Sequence, residues 1–137
     1  MERYVLDSYA VIAYLNDEPG AQVLHDILQL AQQGQVTVYM SWVNLGEVYY
    51  RLQRIYGRQL ARKSIEIIKS WPVTFLIVDE QTTLIAGDIK SRFRLAYADA
   101  FAAAAAISNQ GILLTGDPEF KQLEGKVIKI KWLPPNH

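Results

Sequence analysis

The stretch Ile112-Leu113-Leu114-Thr115-Gly116-Asp117-Pro118 joins a short apolar run to a glycine, an aspartate and a proline. The apolar run predicts a buried β-strand over residues 112–115. Asp117 followed by Pro118 predicts a helix start, because aspartate is a favoured N-cap and proline is tolerated at the first helical position. The stretch therefore predicts an acidic side chain just beyond the carboxyl end of a strand.

Four other short apolar runs predict strands, over residues 4–6, 36–40, 73–78 and 127–130. The segments between the runs are too long for hairpins, and most of them show helical spacing. Ser41 and Asp79 are the expected N-caps of two of these helices, and an alanine-rich helix is predicted over residues 97–109. Strands that alternate with helices predict an α/β fold with a five-stranded parallel sheet and helices on both faces, a three-layer α/β/α architecture.

The chain of 137 residues is half hydrophobic and one fifth charged, a composition typical of a globular domain. The absence of cysteine excludes a disulfide scaffold, a thiolate metal site and a cysteine nucleophile. No signal-peptide pattern is present, and the longest apolar run, residues 100–107, is far shorter than the roughly 20 residues that span a bilayer. We expect a single domain over residues 1–133, a short tail over residues 134–137, and a cytoplasmic protein without a membrane partner.

The net charge is zero, with 14 basic and 14 acidic residues, but the charges are unevenly distributed. Residues 51–69 contain six basic side chains and one acidic side chain, and a second basic cluster consists of Lys90, Arg92 and Arg94. Local basic stretches can hold phosphate backbones. A solvated helix face is the simpler interpretation of either cluster alone.

Four acidic residues fall near one edge of the predicted sheet. Asp7 directly follows the first strand, Asp117 follows the fourth by one glycine, and Glu47 lies on the helix after the second. Asp99 lies in the first turn of the helix that precedes the fourth strand. Because crossover helices run antiparallel to the strands, we expect Asp99 at the same carboxyl edge, where ligands bind in open α/β sheets.

Each acid also has a purely structural interpretation. Asp7 and Asp117 could be N-caps, each worth about 1 kcal/mol, and Asp99 could complement the dipole of its helix. Glu47 could form an ion pair with Arg51 one turn later. The shared edge favours a functional interpretation over these.

Four carboxylates that lie close together repel one another strongly. Two unit charges about 5 Å apart interact by roughly 3 kcal/mol at an effective dielectric of 20. Some of the carboxyl groups must therefore be protonated, or a cation must lie among them. A set of oxygen ligands without cysteine or histidine favours Mg²⁺ or Mn²⁺ over zinc, and neither His25 nor His137 is expected to be a ligand or a base.

The four acidic segments resemble the motifs of a known nuclease family. Their sequences are Val5-Leu6-Asp7-Ser8, Glu47 in mid-helix, Tyr97-Ala98-Asp99-Ala100-Phe101 and Leu114-Thr115-Gly116-Asp117. In order and spacing, across essentially the whole chain, they resemble the PIN-domain nucleases, and within that family the VapC-type toxins of bacterial and archaeal toxin–antitoxin pairs. The resemblance implies strand order 3-2-1-4-5, a homodimer, Mg²⁺ or Mn²⁺, endonucleolytic cleavage of RNA, and an antitoxin that occupies the active-site groove.

The resemblance also assigns roles to individual residues. It implies that the catalytic and metal-binding acids are Asp7, Glu47, Asp99 and Asp117, and that Thr115 is the family's hydroxyl near the fourth acid. As a hypothesis for the mechanism, Asp7, Asp99 and Asp117 hold one or two ions, and Glu47 helps to activate the attacking water.

Several neighbouring residues have supporting roles in this hypothesis. The Thr115 and Ser8 hydroxyls could hydrogen-bond a carboxylate or the phosphate, with a helix-cap role as the alternative. Arg51, Arg54 and Arg58 are the candidates for contacts with flanking phosphates.

Two other functions are compatible with parts of the pattern. A non-catalytic PIN-like module that binds RNA or protein would share the fold, but it would not require the complete set of acids. A phosphoacceptor signalling domain would also be doubly wound, with Asp79 in the place of the acceptor, but no acid pair adjoins Asp7 and no lysine clearly ends the fifth strand.

Overall fold

A computed structural model describes residues 1–135, in which a parallel sheet lies between two layers of helices. The strands are β1 (Glu2–Leu6), β2 (Val36–Ser41), β3 (Thr74–Leu76), β4 (Ile112–Thr115) and β5 (Lys129–Trp132). The helices are α1 (Ser8–Leu15), α2 (Ala21–Gln32), α3 (Trp42–Tyr56), α4 (Arg58–Lys69), α5 (Glu80–Arg92) and α6 (Tyr97–Ser108), and a 3-10 helix spans Pro118–Leu123. His137 and the end of the expected tail lie outside the described residues.

The strand order is β3-β2-β1-β4-β5, which confirms the expected order. The four pairings between neighbouring strands are all parallel. The central strand β1 pairs with β2 on one side and with β4 on the other, so the carboxyl ends of β1, β2 and β4 meet at one edge.

Successive residues of the central strands face opposite layers of helices, as the two-residue period of a strand requires. Leu6 and Leu114 pack into a core with α1 to α4, whereas Val5 and Leu113 pack into a second core with α5 and α6. Because both faces are covered, the central strands read as continuous apolar runs in the sequence.

Helix α6 is buried over eight consecutive residues, from Asp99 to Ala106. It packs against β1, β2 and β4 on one side and against α5 on the other. The run of alanines from Ala102 to Ala106 allows this close packing on all sides, because a methyl group is the whole side chain. The first turn of α6 is thereby held at the sheet edge.

Two edge strands differ from their predicted bounds. The predicted strand over residues 73–78 pairs only over Thr74–Leu76, because its neighbour β2 ends at Ser41, the partner of Leu76. The predicted strand over residues 127–130 lies two residues later, because its register is set by the four residues of β4, from Ile112 opposite Lys129 to Thr115 opposite Trp132. An edge strand can extend only as far as its single neighbour.

Among the described residues, no helix combines the length and the apolar character that crossing a membrane requires.

Candidate active site

Asp7 lies at the carboxyl end of β1 and is 1% exposed. Its Oδ1 accepts a hydrogen bond from the backbone N–H of Ala10 at 2.9 Å, so it is the N-cap of α1. Its Oδ2 accepts a hydrogen bond from the Thr115 hydroxyl at 2.5 Å. The capping interpretation of Asp7 is therefore correct, but it accounts for only one of the two carboxylate oxygens.

The Thr115 hydroxyl links the ends of β1 and β4. While it donates to Asp7, its oxygen accepts a hydrogen bond from the backbone N–H of Asp117 at 3.0 Å. Asp117 is the N-cap of the 3-10 helix, as predicted, and its Oδ1 accepts from the backbone N–H of Glu119 at 2.9 Å. One buried hydroxyl thus fixes the position of Asp117 relative to Asp7.

Glu47 lies on the second turn of α3 and is half-buried. Its Oε1 accepts a hydrogen bond from the Ser8 hydroxyl at 2.6 Å. The alternative ion pair with Arg51 is absent from the part of the chain that the structure describes. Because Ser8 directly follows Asp7 in the chain, this hydrogen bond joins Glu47 to the backbone next to Asp7.

Asn44 joins α3 to the beginning of α6. It is fully buried, and its Nδ2 donates to the carbonyl oxygen of Ala98 at 2.9 Å. Its Oδ1 has no hydrogen-bond partner among the described residues. The contact holds the residue before Asp99 against the helix that carries Glu47. In the sequence Asn44 is recognisable only as a polar residue about one helical turn before Glu47.

Asp99 is buried in the first turn of α6 and completes the cluster. One carboxylate oxygen from each of Asp99, Asp117 and Glu119 lies within 4.8 Å of the others. No donor in residues 1–135 hydrogen-bonds the Asp99 carboxylate, in contrast to the fully bonded carboxylate of Asp7. Asp99 therefore offers buried oxygen atoms that no protein group occupies.

Glu119 is the acidic residue that the sequence did not lead us to expect at the site. It follows Asp117 by two positions, and the tight turn that begins at Pro118 brings the two carboxylates together. The acid-proline-acid sequence was the available signal, because a proline at a helix start predicts such a turn. The cluster therefore contains five acids, Asp7, Glu47, Asp99, Asp117 and Glu119.

The pKa values of Asp7 and Asp99 reflect both their burial and the charges of the neighbouring acids. Burial raises the pKa of Asp7 to about 7, although its hydrogen bonds to Thr115 and Ala10 act in the opposite direction. The pKa of Asp99 is also raised to about 7, mainly by burial and in addition by the charges of Asp117, Asp7, Glu47 and Glu119. Within the described residues, none of the five carboxylates has a lysine or arginine partner within 4 Å.

The donor set fits a hard divalent cation. The atoms brought together are carboxylate oxygens, without a nitrogen or sulfur ligand, which is the set that Mg²⁺ and Mn²⁺ prefer. The Asp99 carboxylate is buried and no protein donor among the described residues reaches it, so its oxygen atoms are available to a cation. The raised pKa values of Asp7 and Asp99 show that ionised carboxylates are disfavoured here, and a cation among them would stabilise the ionised forms. Asp99, Asp117 and Glu119 would hold the ion, with Asp7 and Glu47 beside them.

Tyr9 covers the site from α1 and packs on Gly116. A Cβ atom at Gly116 would lie 2.3 Å from Cε1 of Tyr9, so this position between Thr115 and Asp117 requires glycine for close approach. Nearby acids contribute to a raised pKa of the Tyr9 hydroxyl, although burial is the main cause.

Among the described residues, the other arginines, aspartate and histidine singled out in the sequence form no ion pair or hydrogen bond with the five acids. Arg51, Arg54 and Arg58 are exposed, and the Arg54 guanidinium lies 5.0 Å from the centre of the Tyr50 ring. Asp79, the alternative phosphoacceptor, caps α5 by accepting from the backbone N–H of Thr82 at 2.8 Å. His25 lies on α2.

The fold and the site together define a class of protein: a three-layer α/β/α domain with an all-carboxylate site at the carboxyl edge of its sheet. The family model described as PIN domain matches residues 4–126. The chain therefore belongs to the PIN domain family, which confirms the family resemblance of the four acidic motifs. No curated protein matches the sequence significantly.

Solved structures of toxin–antitoxin complexes share the fold. A chain of VapBC2 from Rickettsia felis, bound to a promoter DNA fragment, matches with a TM-score of 0.78 and 17% identity, over 96% of this chain and 99% of that one. DNA-bound VapBC from Salmonella typhimurium matches with a TM-score of 0.73 and 17% identity, over 96% and 98%. Mycobacterium tuberculosis VapC20, a toxin that cleaves the sarcin-ricin loop, matches with a TM-score of 0.68 and 18% identity, over 89% and 95%.

Proposed function

We propose that the protein is an endoribonuclease that depends on Mg²⁺ or Mn²⁺, and that it is the toxin of a cytoplasmic toxin–antitoxin pair. The observation that carries the proposal is the convergence of five carboxylates at the carboxyl edge of the sheet, two of them with pKa values raised to about 7. Membership of the PIN domain family supports nuclease chemistry. The similarity to VapC20 supports RNA as the substrate.

Asp99, Asp117 and Glu119 are the residues best placed to hold the cation. A bound Mg²⁺ or Mn²⁺ supplies positive charge at the scissile phosphate and lowers the pKa of water. Asp7 sets the position of the site through its two hydrogen bonds, because its Oδ2 shares the Thr115 hydroxyl with the backbone of Asp117. Asp7 also adds negative charge next to Asp99.

Glu47 is the candidate general base. Its Oε1 is engaged by Ser8, which leaves Oε2 without a donor among the described residues. The half-buried carboxylate can therefore accept a proton at Oε2 from the attacking water while Ser8 fixes its orientation. In-line attack on phosphorus would leave a 5′-phosphate and a 3′-hydroxyl.

The apolar surface of α3 and α4 supports a protein partner. Several large hydrophobic side chains are at least 40% exposed there, namely Trp42, Tyr50, Ile55, Tyr56, Leu60 and Ile67. Exposed large hydrophobic side chains in this number on two neighbouring helices support a protein-binding surface. An antitoxin is the partner that the similar VapBC complexes suggest. Exposed Ile77 and Leu84 provide apolar surface for the second copy of a homodimer.

An RNA cleavage assay tests the proposed function. Purified protein is incubated with labelled RNA and Mg²⁺, and the Asp99→Asn and Asp7→Asn variants are compared with wild type. We expect cleavage by wild type and not by the Asp99→Asn and Asp7→Asn variants, and we expect the wild-type cleavage to be abolished by EDTA and restored by excess Mn²⁺. Asp26→Asn is the matched control, because it removes one exposed carboxylate from α2, outside the cluster. Equal cleavage by wild type and Asp99→Asn, or cleavage that survives EDTA, would overturn the proposal.

A further inference from the structure

A groove of about 580 Å³ runs along the loop between α5 and α6. Its lining includes Lys90, Arg92, Phe93 and Arg94, and Glu119 is the acidic side chain on its wall. Glu119 also belongs to the carboxylate cluster with Asp99 and Asp117. The groove and the carboxylate cluster therefore share Glu119, and the other charged side chains that line the groove are basic.

Gln122 holds this loop against the 3-10 helix that carries the acids. Its Nε2 donates to the carbonyl oxygens of Arg94 at 2.7 Å and Glu119 at 2.9 Å, and its Oε1 accepts from the backbone N–H of Arg94 at 3.3 Å. The ammonium group of Lys90 donates to the carbonyl oxygen of Leu95 at 2.7 Å and fixes the other side of the loop. The position of the basic surface relative to the acids is thus determined by hydrogen bonds.

The two arginines of the loop are available for a ligand. Both are exposed, and neither has a carboxylate within 4 Å in the described part of the chain. The Arg92 guanidinium lies 5.1 Å from the centre of the Phe93 ring, a contact that uses none of its N–H donors for a hydrogen bond. Guanidinium groups of this kind recognise phosphate through paired hydrogen bonds.

We propose that Arg92 and Arg94 bind the phosphates of single-stranded RNA that flank the scissile bond. This inference rests on the proposed function, because the RNA is the substrate proposed there. It assigns the track of the substrate to the α5–α6 side of the acids, in addition to the α3 side where Arg51 lies. In this arrangement the acids act at the scissile phosphate, and the two arginines bind the phosphates on either side of it.

Salt-dependent RNA binding tests the inference without cleavage. A fluorescein-labelled 12-nucleotide RNA is titrated with Asp99→Asn protein, alone or with Arg92→Ala and Arg94→Ala added, between about 50 and 200 mM salt. We expect affinity to fall about tenfold and the slope of log Kd against log salt to decrease by about 1.4, for two lost phosphate contacts at about 0.7 each. The Arg92→Lys/Arg94→Lys pair retains the charges and is expected to retain most of the slope.

The matched control is Lys126→Ala/Lys129→Ala, which removes two exposed charges at the amino edge of the sheet and is expected to leave the slope unchanged. An unchanged slope in the Arg92→Ala/Arg94→Ala protein would overturn the inference and would indicate that the groove binds another polyanion, such as an acidic protein segment.

The same pair of substitutions in the active enzyme is expected to raise KM about tenfold with little change in kcat. If wild type cleaves RNA and the pair does not change KM, this inference fails and the proposed function stands. If wild type does not cleave RNA, the proposed function itself fails.

Discussion

The Thr115 hydroxyl donates a hydrogen bond to Oδ2 of Asp7 at 2.5 Å, across 108 residues of sequence. Thr115 is the last residue of β4 and Asp7 directly follows the neighbouring strand β1, and both residues are buried. The same oxygen accepts from the backbone of Asp117. The site is therefore assembled by the parallel pairing of two strands, and a single hydroxyl connects two of its acids.

Replacement of Thr115 by valine keeps the shape of the side chain but removes this hydroxyl. Asp7 then loses a donor and the Asp117 N–H loses its acceptor, and each lost bond to a buried group costs about 1–3 kcal/mol. In wild type, the hydrogen bond from Thr115 stabilises the ionised Asp7 carboxylate and lowers its pKa. We therefore expect the pKa of Asp7 to rise in Thr115→Val, and the loss of stability to be larger at pH 8, where Asp7 is ionised, than at pH 5. Urea unfolding at both pH values measures this. Thr115→Ser is the control that keeps the hydroxyl, and a Thr115→Val loss that is the same at both pH values would contradict the account.

The raised pKa values of Asp7 and Asp99 make the metal-free protein sensitive to pH. Both lie near 7 in the folded chain, above the ordinary value of 3.8, so between about pH 4 and 7 the folded state binds more protons than the unfolded state. Stability should therefore fall as pH rises through this window, by on the order of 1.4 kcal/mol for each unit of pKa shift. We expect a lower Tm at pH 8 than at pH 5.5 in EDTA, and a smaller difference in Asp99→Asn, in which Asp7 still titrates, than in the Asp26→Asn control.

Divalent cations should reverse this effect. Because a cation binds the ionised carboxylates, Mg²⁺ or Mn²⁺ at millimolar concentration is expected to raise Tm strongly at pH 8 and weakly at pH 5.5, where protons compete. Differential scanning calorimetry with and without metal measures the shift. An equal metal-induced shift in wild type and Asp99→Asn would place the bound ion elsewhere.

Gly116 should not tolerate a larger side chain. A Cβ atom there would lie 2.3 Å from the Tyr9 ring, so Gly116→Ala forces the ring to move, and we expect a loss of about 1–3 kcal/mol. The loss should be smaller in a Tyr9→Leu background, which urea unfolding of the double-mutant cycle measures. Gly87→Ala is the control, because nothing lies within 4 Å of its Cβ position on α5, and helix propensity should make it stabilising by about 0.5–1 kcal/mol. Equal losses in both backgrounds would show that contact with Tyr9 is not the cause.

Replacement of Ser8 should lower the rate of RNA cleavage without weakening the binding of the metal ion. Its hydroxyl orients Glu47, which lies outside the group Asp99, Asp117 and Glu119. We expect Ser8→Ala to lower kcat by about 10- to 100-fold, the usual cost of losing a residue that orients a functional group, while the metal-induced rise in Tm stays as in wild type. Loss of the metal-induced shift in Ser8→Ala would assign Ser8 to the cation site instead.

The sequence predicted the sheet and the edge of the acids because both depend on local patterns. Short apolar runs that alternate with helices imply a parallel sheet, and residues after such strands share an edge. Asp7 and Asp117 could therefore be placed at that edge before the structure was known. Asp99 could be placed only with the added assumption about the direction of α6.

Contacts between distant residues could not be predicted in this way. Nothing in the local sequence indicates that Ser8 meets Glu47, or that Asn44 meets the carbonyl of Ala98, because these contacts depend on the crossing of packed helices. Glu119 was missed because Asp117 is an N-cap with extended backbone that lies outside the 3-10 helix, so helical periodicity does not predict how the side chains of residues 117 and 119 lie relative to each other.

The ends of the RNA products test the central claim most directly. Cleavage by metal-assisted attack of water leaves a 5′-phosphate and a 3′-hydroxyl, whereas metal-independent cleavage through the 2′-hydroxyl leaves a 2′,3′-cyclic phosphate. We expect the products of wild type with Mg²⁺ to be ligatable at a 5′-phosphate and extendable at a 3′-hydroxyl, and to be absent with Asp99→Asn. Cyclic phosphate ends, or the same products from Asp99→Asn, would contradict the account.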